Sequence, residues 1–298
     1  MSARLRAIAR ENQEIVEAGR YHAPGGHVVA LGDRLAEALD GTRLYGPAPL
    51  TVTPGTDRVT RIRVTGASST AAALRLAAEA PDPVAVLNFA SARNPGGGYV
   101  NGAQAQEEAL CRASALHATL LRAPAYYAYH RENRDPLYSD RVIHSPAVPV
   151  FRDHKDRLLD TPRTVGFLTS PAPNAGVVAR REPERAHLVP AALAARAERV
   201  LEVAVDRGYR RIVLGAWGCG VFRNDPATVA GTFRALLTGE GGFARHFDQV
   251  EFAVLDRTKT RSTIGAFEAA FGSDRTGLGS EGTGLGSEGT GLGSDRTG

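Results

Sequence analysis

Cysteine and lysine are almost missing from this 298-residue chain. The two cysteines, Cys111 and Cys219, are far apart and lack the spacing of metal ligands, so neither a disulfide framework nor a cysteine metal site is predicted. The only lysines are Lys155 and Lys259, so the net charge of +4 reflects an excess of arginine. We interpret that excess as compositional, with a modest attraction for anionic ligands.

Long apolar runs and blocks of basic residues are also missing. No stretch approaches the roughly 18 consecutive apolar residues of a membrane span, and residues 1–13 lack the apolar block of a signal peptide. No run of five or six basic residues indicates a nucleic-acid arm. His144, His154 and His187 are scattered, and no metal or other cofactor is predicted. This composition favours a cytoplasmic protein that does not bind membranes or nucleic acid directly.

The chain divides into two parts. Residues 272–298 repeat the unit TGLGSEG, which has too few apolar side chains to offset the entropy of ordering, so we predict a disordered low-complexity tail. Residues 1–271 alternate short β-branched runs with helical stretches rich in alanine and leucine. That alternation predicts an α/β sandwich with a mixed, largely parallel sheet.

Hydrophobic periodicity gives the predicted elements. Strands are expected at 60–65, 84–89, 164–168, 211–216 and 250–255, and helices at 5–18, 69–80, 106–121, 190–207, 225–237 and 259–271. Ser69 or Thr70 is the expected N-cap of the second helix. In such sheets, ligands bind at the carboxyl ends of the strands.

A glycine-rich loop follows the predicted strand VAVLNF. It runs from Asn88 through Gly96, Gly97 and Gly98 to a helix that begins at Gln106. One turn rarely needs three glycines, so we expect the backbone to approach a ligand there and its N–H groups to form an anion-binding nest. A flexible connection between strand and helix is the alternative.

A second glycine loop follows the predicted strand RIVLGA. Gly218 and Gly220 flank Cys219, and a helix follows at Asp225-Pro226, an N-cap with proline after it. A strand, a glycine loop and a helix N-terminus suit a phosphate group, although the GxGxxG and GxxxxGK[ST] signatures are absent. Two such loops would hold a diphosphate from two sides.

The helix after the first loop begins with Gln106, Glu107 and Glu108. Acidic residues are common there because they complement the helix dipole. A catalytic interpretation needs a carboxyl group protonated near neutral pH, which burial and a neighbouring carboxylate favour and the helix N-terminus opposes. Adjacent helical residues also point about 100° apart, so both glutamates could share a ligand only at an irregular first turn. The residues alone leave both interpretations open.

The string LNFASARNPGGGYVNGAQAQEEALCRAS, with GCGVF further on, resembles the microbial branch of the poly(ADP-ribose) glycohydrolase (PARG) family. The resemblance extends over about residues 5–271 and implies a macrodomain-like α/β/α sandwich with an N-terminal helical extension in a catalytic domain of residues 1–271. It also implies a hydrolase that cleaves the ribose–ribose O-glycosidic bond of poly(ADP-ribose). We expect ADP-ribose to be released from chain ends, and ADP-ribosylated proteins to be the partners.

The resemblance also implies roles for individual residues. Glu108 would be the general acid and base, and Glu107 would hold ribose hydroxyls. Phe222 would stack over the distal ribose. The expected substrate contacts are Asn88, Ser91, Asn94, Gly96, Gly97, Gly98 and Gln106 in the first loop, and Gly218, Cys219, Gly220, Val221 and Phe222 in the second. A macrodomain-type asparagine is expected where this chain has Ser91, and Asn94 would be its substitute.

Two other functions stay open. The chain could be a mono-ADP-ribosyl hydrolase, or an ADP-ribose-binding macrodomain without catalysis. The two glutamates argue against the pure binder, whereas nothing in the sequence excludes the first alternative. For adenine, Thr70 and Tyr99 are possible contacts, each better explained by a structural role.

Overall fold

The computed structural model describes residues 2–53, 55 and 58–272. Within them, the α-helices are Ala3–Ala18 (α1), Gly32–Gly41 (α2), Ser69–Glu79 (α3), Gln106–Ala113 (α4), Leu116–Leu120 (α5), Pro124–Glu132 (α6), Ala175–Arg181 (α7), Val189–Asp206 (α8), Pro226–Leu237 (α9) and Ser262–Phe271 (α10). The strands are Arg20–His22 (β1), Val28–Ala30 (β2), Arg43–Tyr45 (β3), Arg61–Thr65 (β4), Val84–Phe89 (β5), Val142–Arg152 (β6), Leu158–Ser170 (β7), Arg211–Leu214 (β8) and Gln249–Ala253 (β9). None of these helices is long and apolar enough to cross a bilayer. Apart from Gly272, the predicted tail lies outside the described residues.

Seven strands form one mixed sheet in the order β3-β6-β7-β5-β8-β9-β4. From β7 to β4 all neighbours are parallel, whereas β6 pairs antiparallel with both β3 and β7. Strands β1 and β2 form a separate antiparallel pair. The prediction of a mixed, largely parallel sheet is confirmed.

Helices cover both faces of this sheet. Along β5, Val84 and Val86 pack into one hydrophobic core, and Ala85 and Leu87 pack into the other, because alternate side chains of a strand point to opposite faces. The first core contains residues of α1 to α6, and the second contains residues of α8, α9 and α10. This confirms the three-layer α/β/α sandwich, with α1 as its N-terminal helical extension.

Several helix boundaries differ from the predictions, and two of the differences have a clear structural cause. The helix expected over 106–121 is divided into α4 and α5, because Ser114 leaves the helix and forms an isolated antiparallel bridge with Val150. The N-cap of α3 is Ser68, one residue before the predicted positions. Its Oγ accepts a hydrogen bond from the Ala71 amide at 3.2 Å.

The parallel strands bring the two glycine loops to one edge of the sheet. Strands β5 and β8 are parallel neighbours, so the loops that follow them start side by side at their carboxyl ends. The connections after β4, β7 and β9 begin at the same edge. The sheet therefore gathers five connections where ligands bind in folds of this class.

Candidate active site

Glu107 and Glu108 lie in the first turn of α4 and turn back towards the first glycine loop. They are 2% and 7% exposed. A Cβ atom at Gly97 would lie 3.1 Å from Oε2 of Glu107 and 2.5 Å from Oε1 of Glu108. Both carboxyl groups therefore converge on Gly97, although α4 is helical from Gln106 onward. The first turn of α4 is thus helical, and whether both glutamates share one ligand there stays a prediction.

Two backbone amides hold the Glu108 carboxyl group. Oε1 accepts a hydrogen bond from the Gly98 amide at 2.8 Å, and Oε2 accepts one from the Ala105 amide at 3.1 Å. Ala105 is the N-cap and Glu108 the third helical residue, so the second bond is one half of a capping box. The reciprocal half cannot form because alanine has no side-chain oxygen. This bond folds Glu108 over the helix start and towards the loop.

Glu107 is held from the end of β5. Its Oε2 accepts a hydrogen bond from the Ser91 amide at 2.7 Å, and its Oε1 accepts one from Nδ2 of the buried Asn88 at 3.2 Å. Burial raises the pKa of Glu107 to about 8, even though the hydrogen bonds from Ser91 and Asn88 lower it; the charge of Glu108 adds to the rise. Glu107 therefore keeps a proton through much of the neutral range.

Gln106 joins three elements. Its Oε1 accepts a hydrogen bond from the Phe89 amide at 2.9 Å, and its Nε2 donates to the Leu87 carbonyl at 2.8 Å and to Ser69 Oγ at 3.1 Å. These bonds fix the start of α4 against the end of β5 and the first residue of α3. By anchoring the start of α4, the side-chain amide of Gln106 positions the two glutamates that follow it.

The amides of the first glycine loop are largely used by the protein itself. Gly96 and Gly97 have φ values of 67° and 59°, which favour glycine. The Gly97 amide donates to the Asn94 carbonyl at 3.0 Å, and the Gly98 amide donates to Glu108. The Gly96 amide favours the charged form of Glu107. The predicted anion nest therefore receives the protein's own carboxyl groups, and the amides of Gly97 and Gly98 are not free for a diphosphate.

Ser91 and Asn94 contact the site mainly through their backbone. Ser91 supplies its amide to Glu107, while its Oγ accepts a hydrogen bond from the Asn94 amide at 3.2 Å. The Asn94 side chain is exposed. The two residues close the turn that precedes the glycines, and a side-chain contact of either with substrate stays a prediction.

The second loop presents more of its amides. The Cys219 amide donates to the Ala216 carbonyl at 3.2 Å, so the predicted phosphate contact from this amide is already occupied. Among the described residues, the amides of Gly218, Gly220 and Val221 have no hydrogen-bond partner. Val221 is 83% exposed, and a Cβ at Gly220 would meet no atom within 4 Å. The tip of this loop is open.

The base of the second loop is firmly held. Trp217 is fully buried and donates from Nε1 to the Ser170 carbonyl at 3.1 Å, and Asn224 donates to the Pro173 carbonyl at 2.8 Å. Phe222 is half-buried, and its ring centroid lies 5.9 Å from that of Tyr138. The open amides therefore stand on a rigid support.

A cleft of about 1000 Å³ adjoins both loops. Its lining includes Phe89, Gln106, Cys219 and Gly220, together with residues after β4 and β9, but neither Glu107 nor Glu108. Gln106 lines the cleft and directly precedes the two glutamates. The site thus consists of a nucleotide-sized cleft beside a pair of nearly buried carboxyl groups.

Comparison with known proteins decides the family. Residues 9–153 match the family model of the microbial-type PARG catalytic domain. The crystal structure of PARG from Thermomonospora curvata is 49% identical, covers 91% of this chain and 100% of its own, and gives a TM-score of 0.85. PARG from Deinococcus radiodurans in complex with ADP-ribose is 46% identical, covers 81% of this chain and 98% of its own, and gives a TM-score of 0.75. No curated protein sequence matches.

This chain belongs to the microbial-type PARG family. The family resemblance seen in the sequence is confirmed, as is the macrodomain-like fold that it implied. A further Thermomonospora curvata PARG structure, bound to the inhibitor ADP-HPD, is 48% identical, covers 91% of this chain and 100% of its own, and gives a TM-score of 0.84.

The connection after β9 also lines the cleft, and the sequence analysis did not predict this. Asp256 there accepts hydrogen bonds from the amides of Thr258 and Thr263, each at 2.9 Å. The hydrogen bond from the Thr258 hydroxyl contributes most to a pKa of about 2 for Asp256. Asp256 and both threonines line the cleft. The sequence feature that could have indicated this turn is Asp-x-Thr shortly after a buried strand.

The two residues considered for adenine lie in different surroundings. Thr70 lines the cleft, whereas Tyr99 is buried and donates from its hydroxyl to the Ala9 carbonyl at 3.3 Å. Within the part of the chain described, no group of three or more His, Cys, Asp or Glu side chains is arranged to hold a metal ion.

Proposed function

We propose that this chain hydrolyses the ribose–ribose O-glycosidic bond of poly(ADP-ribose) and releases ADP-ribose. The observation that carries the proposal is the convergence of two nearly buried glutamate carboxyl groups on the glycine loop, beside a nucleotide-sized cleft. Family membership supports it, since related PARG structures are described with ADP-ribose and with the inhibitor ADP-HPD.

Glu108 is the proposed general acid and base. Its carboxyl group delivers a proton to the leaving ribose oxygen as an oxocarbenium-like transition state develops, and then takes a proton from the attacking water. The amides of Gly98 and Ala105 fix its position. Glu107, protonated over much of the neutral range, donates to and accepts from ribose hydroxyls beside the bond that breaks.

The second loop is the proposed diphosphate site. The amides of Gly218, Gly220 and Val221 have no partner within the described residues and stand on a rigid base. Backbone amides of this kind bind phosphate oxygens, and the bound diphosphate stabilises the positive charge that develops on the ribose. The adenosine end then extends into the cleft towards Thr70 and Asp256.

The variant Glu108→Gln tests the catalytic role. We expect ADP-ribose release from polymer to fall by about 10³-fold, because the amide cannot deliver a proton, while binding of ADP-ribose persists. Chromatography of products measures release, and calorimetry measures binding. Glu107→Gln is the matched variant, and it should keep more activity than Glu108→Gln. If Glu108→Gln kept its turnover and Glu107→Gln lost it, Glu107 would be the general acid and base and Glu108 the ribose-binding residue.

Substrate choice is tested by comparing three substrates. We expect poly(ADP-ribose) to be cleaved faster than mono-ADP-ribosylated protein and ADP-ribosylated DNA. A faster reaction on either single-mark substrate would favour a mono-ADP-ribosyl hydrolase. Tight ADP-ribose binding without turnover on any of the three would indicate a binding module.

We also propose cleavage from chain ends, with Phe222 over the distal ribose. Phe222 follows the open amides and packs near Tyr138, so its ring is held beside the proposed diphosphate site. Wild-type protein should release single ADP-ribose units from the start of the reaction. Phe222→Ala should release longer fragments, whereas Val221→Ala in the same loop should not. Early long fragments from the wild type would contradict end cleavage.

A reducing, cytoplasmic location is proposed, with ADP-ribosylated proteins as partners. Cys111 and Cys219 are both free thiols, which is usual in that compartment. Fractionation of cells that produce the chain, with probing for ADP-ribosylated proteins in the same fraction, tests the location and the partners together.

A further inference from the structure

A second cleft, of about 710 Å³, lies at the opposite end of the sheet. Strand β5 begins in this cleft at Val84 and ends in the first cleft at Phe89. At roughly 3.3 Å per residue, the two clefts are about 17 Å apart along the strand. The second cleft is therefore separate from the proposed active site.

Arginine dominates the charge of this second cleft, which we call the arginine cleft. Four arginines from four different parts of the fold line it: Arg34 of α2, Arg43 of β3, Arg163 of β7 and Arg207 after α8. The lining carboxylates are Glu37 and Asp82. The sequence analysis attributed the excess of arginine to overall composition, but the fold brings four of these arginines together in one cleft.

Most of these guanidinium groups have no carboxylate partner. Within the described residues, Arg34 and Arg163 are exposed and form no ion pair, and Arg43 donates only to backbone carbonyls, including that of Thr42 at 2.9 Å. Arg207 pairs with Asp206 at 3.4 Å. The cleft therefore offers three guanidinium groups that form no ion pair within the described residues, and two carboxylates, Glu37 and Asp82, share its lining.

A buried polar pair lies among these arginines. His144 is 3% exposed, and its Nε2 lies 2.9 Å from the hydroxyl of the buried Tyr209. Its Nδ1 has no hydrogen-bond partner among the described residues. Both side chains line the cleft. A buried ring nitrogen without a partner costs free energy, and the groups that face a ligand in this cleft are the exposed guanidinium groups.

We propose that the arginine cleft binds diphosphate groups of a poly(ADP-ribose) chain whose end lies in the active site. The inference rests on the proposed function. Exposed guanidinium groups spread over four elements suit a chain of repeated phosphates better than one enclosed phosphate. A polymer held at its end also presents its later units to the arginine cleft at high effective concentration.

The lining favours this polymer over single-stranded nucleic acid. Non-specific binding of single strands depends on exposed aromatic rings on which successive bases stack. The tyrosine of the arginine cleft, Tyr209, is 6% exposed. The site therefore offers charge without a stacking platform, which suits phosphates more than bases.

A binding experiment with the active site blocked tests the proposal. Fluorescently labelled long poly(ADP-ribose) is titrated with the Glu108→Gln protein, which prevents cleavage, in saturating ADP-ribose, which fills the first cleft. We expect residual polymer binding that weakens about tenfold when Arg34→Glu and Arg163→Glu are added, and that falls as salt rises. The charge-matched control carries Arg10→Glu and Arg20→Glu, two exposed arginines that line neither cleft, and should bind like the parent.

A kinetic experiment uses polymer length. With the active-site glutamates intact, Arg34→Glu/Arg163→Glu should raise KM for long polymer several-fold and change KM for di-ADP-ribose much less, because a dimer has one diphosphate outside the active site whereas a long polymer has many. Three results of the binding experiment would overturn the assignment. They are no residual polymer binding, an equal loss of polymer affinity in the control pair, and equally tight binding of single-stranded DNA with the same number of phosphates. Failure of the proposed function is distinguishable, since wild-type protein would then cleave neither substrate while the binding experiment could still be read.

Discussion

The two glycine-rich loops resemble each other in sequence, but their amides have different partners. In the loop after β5, the Gly97 and Gly98 amides donate to Asn94 and Glu108. In the loop after β8, the amides of Gly218, Gly220 and Val221 have no partner within the described residues. Glycine therefore serves two purposes: it places carboxyl groups in the first loop and exposes amides in the second.

This difference divides the proposed chemistry between the loops. The first loop leaves no space above Gly97, where a Cβ would contact both glutamates, whereas Gly220 faces open space. We infer that the first loop acts mainly on catalysis and the second mainly on binding. Substitutions by alanine, which adds one methyl group, can separate these effects.

Among the substitutions that compare the two loops, the largest loss of activity is expected for Gly97→Ala. The added Cβ would lie 2.5 Å from Oε1 of Glu108, at a backbone φ of 59° that alanine rarely adopts, so the carboxyl groups must move. A displacement of about 1 Å at reacting groups can lower the rate by about 100-fold. Initial rates on polymer should show this loss in kcat with a small change in KM. Activity within threefold of wild type, in a variant with an unchanged Tm, would refute the catalytic role of the first loop.

The sequence predicted the elements that carry this site because their signals are local. The apolar run of β5 gave its bounds as residues 84–89, and Asp225-Pro226 marked the start of α9. Strand β6 was missed because Pro146 and Pro149 argue against a strand. The structure places Pro146 in a bulge between Ser145 and Val148, whereas Pro149 lies in the ladder opposite Thr164.

The partners of the site residues could not be predicted from local patterns. Glu107 and Glu108 were identified as a pair, but the bond from the Gly98 amide to Glu108 joins residues ten positions apart across a loop. The side-chain amide of Gln106 likewise bonds to three groups in two other elements, β5 and α3, which only the tertiary fold brings close. Periodicity encodes which face is buried; it does not encode which amide meets which carboxyl group.

A second effect, on the pH dependence of stability, is expected for Glu107→Gln. The folded-state pKa of about 8 exceeds the ordinary value of 4.5, so the folded wild type binds a proton that the unfolded chain has lost between these pH values. The free energy of unfolding of the wild type should therefore fall as pH rises from about 5 to 8, by at most about 1.4 kcal/mol per unit, and then level off. The variant should lack this part of the pH dependence.

Denaturant titrations at pH 5, 6.5 and 8 measure the difference between wild type and Glu107→Gln. Glu198→Gln, at an exposed position of α8, is the control and should follow the wild type. Parallel pH profiles for wild type and Glu107→Gln would show that Glu107 is not held as a protonated group, and would weaken the idea that the first loop is organised around the glutamates.

The smallest effect is expected for Gly220→Ala. The new methyl group meets no atom within 4 Å, so the free energy of unfolding should change by less than about 0.5 kcal/mol. The same methyl group would keep a diphosphate from the open amides, so affinity for ADP-ribose should fall about threefold to fivefold. Calorimetry measures the affinity, with Gly231→Ala on α9, also in open space, as the control that should not alter it. Unchanged ADP-ribose affinity in Gly220→Ala would place the diphosphate away from the second loop and remove the division of labour between the two loops.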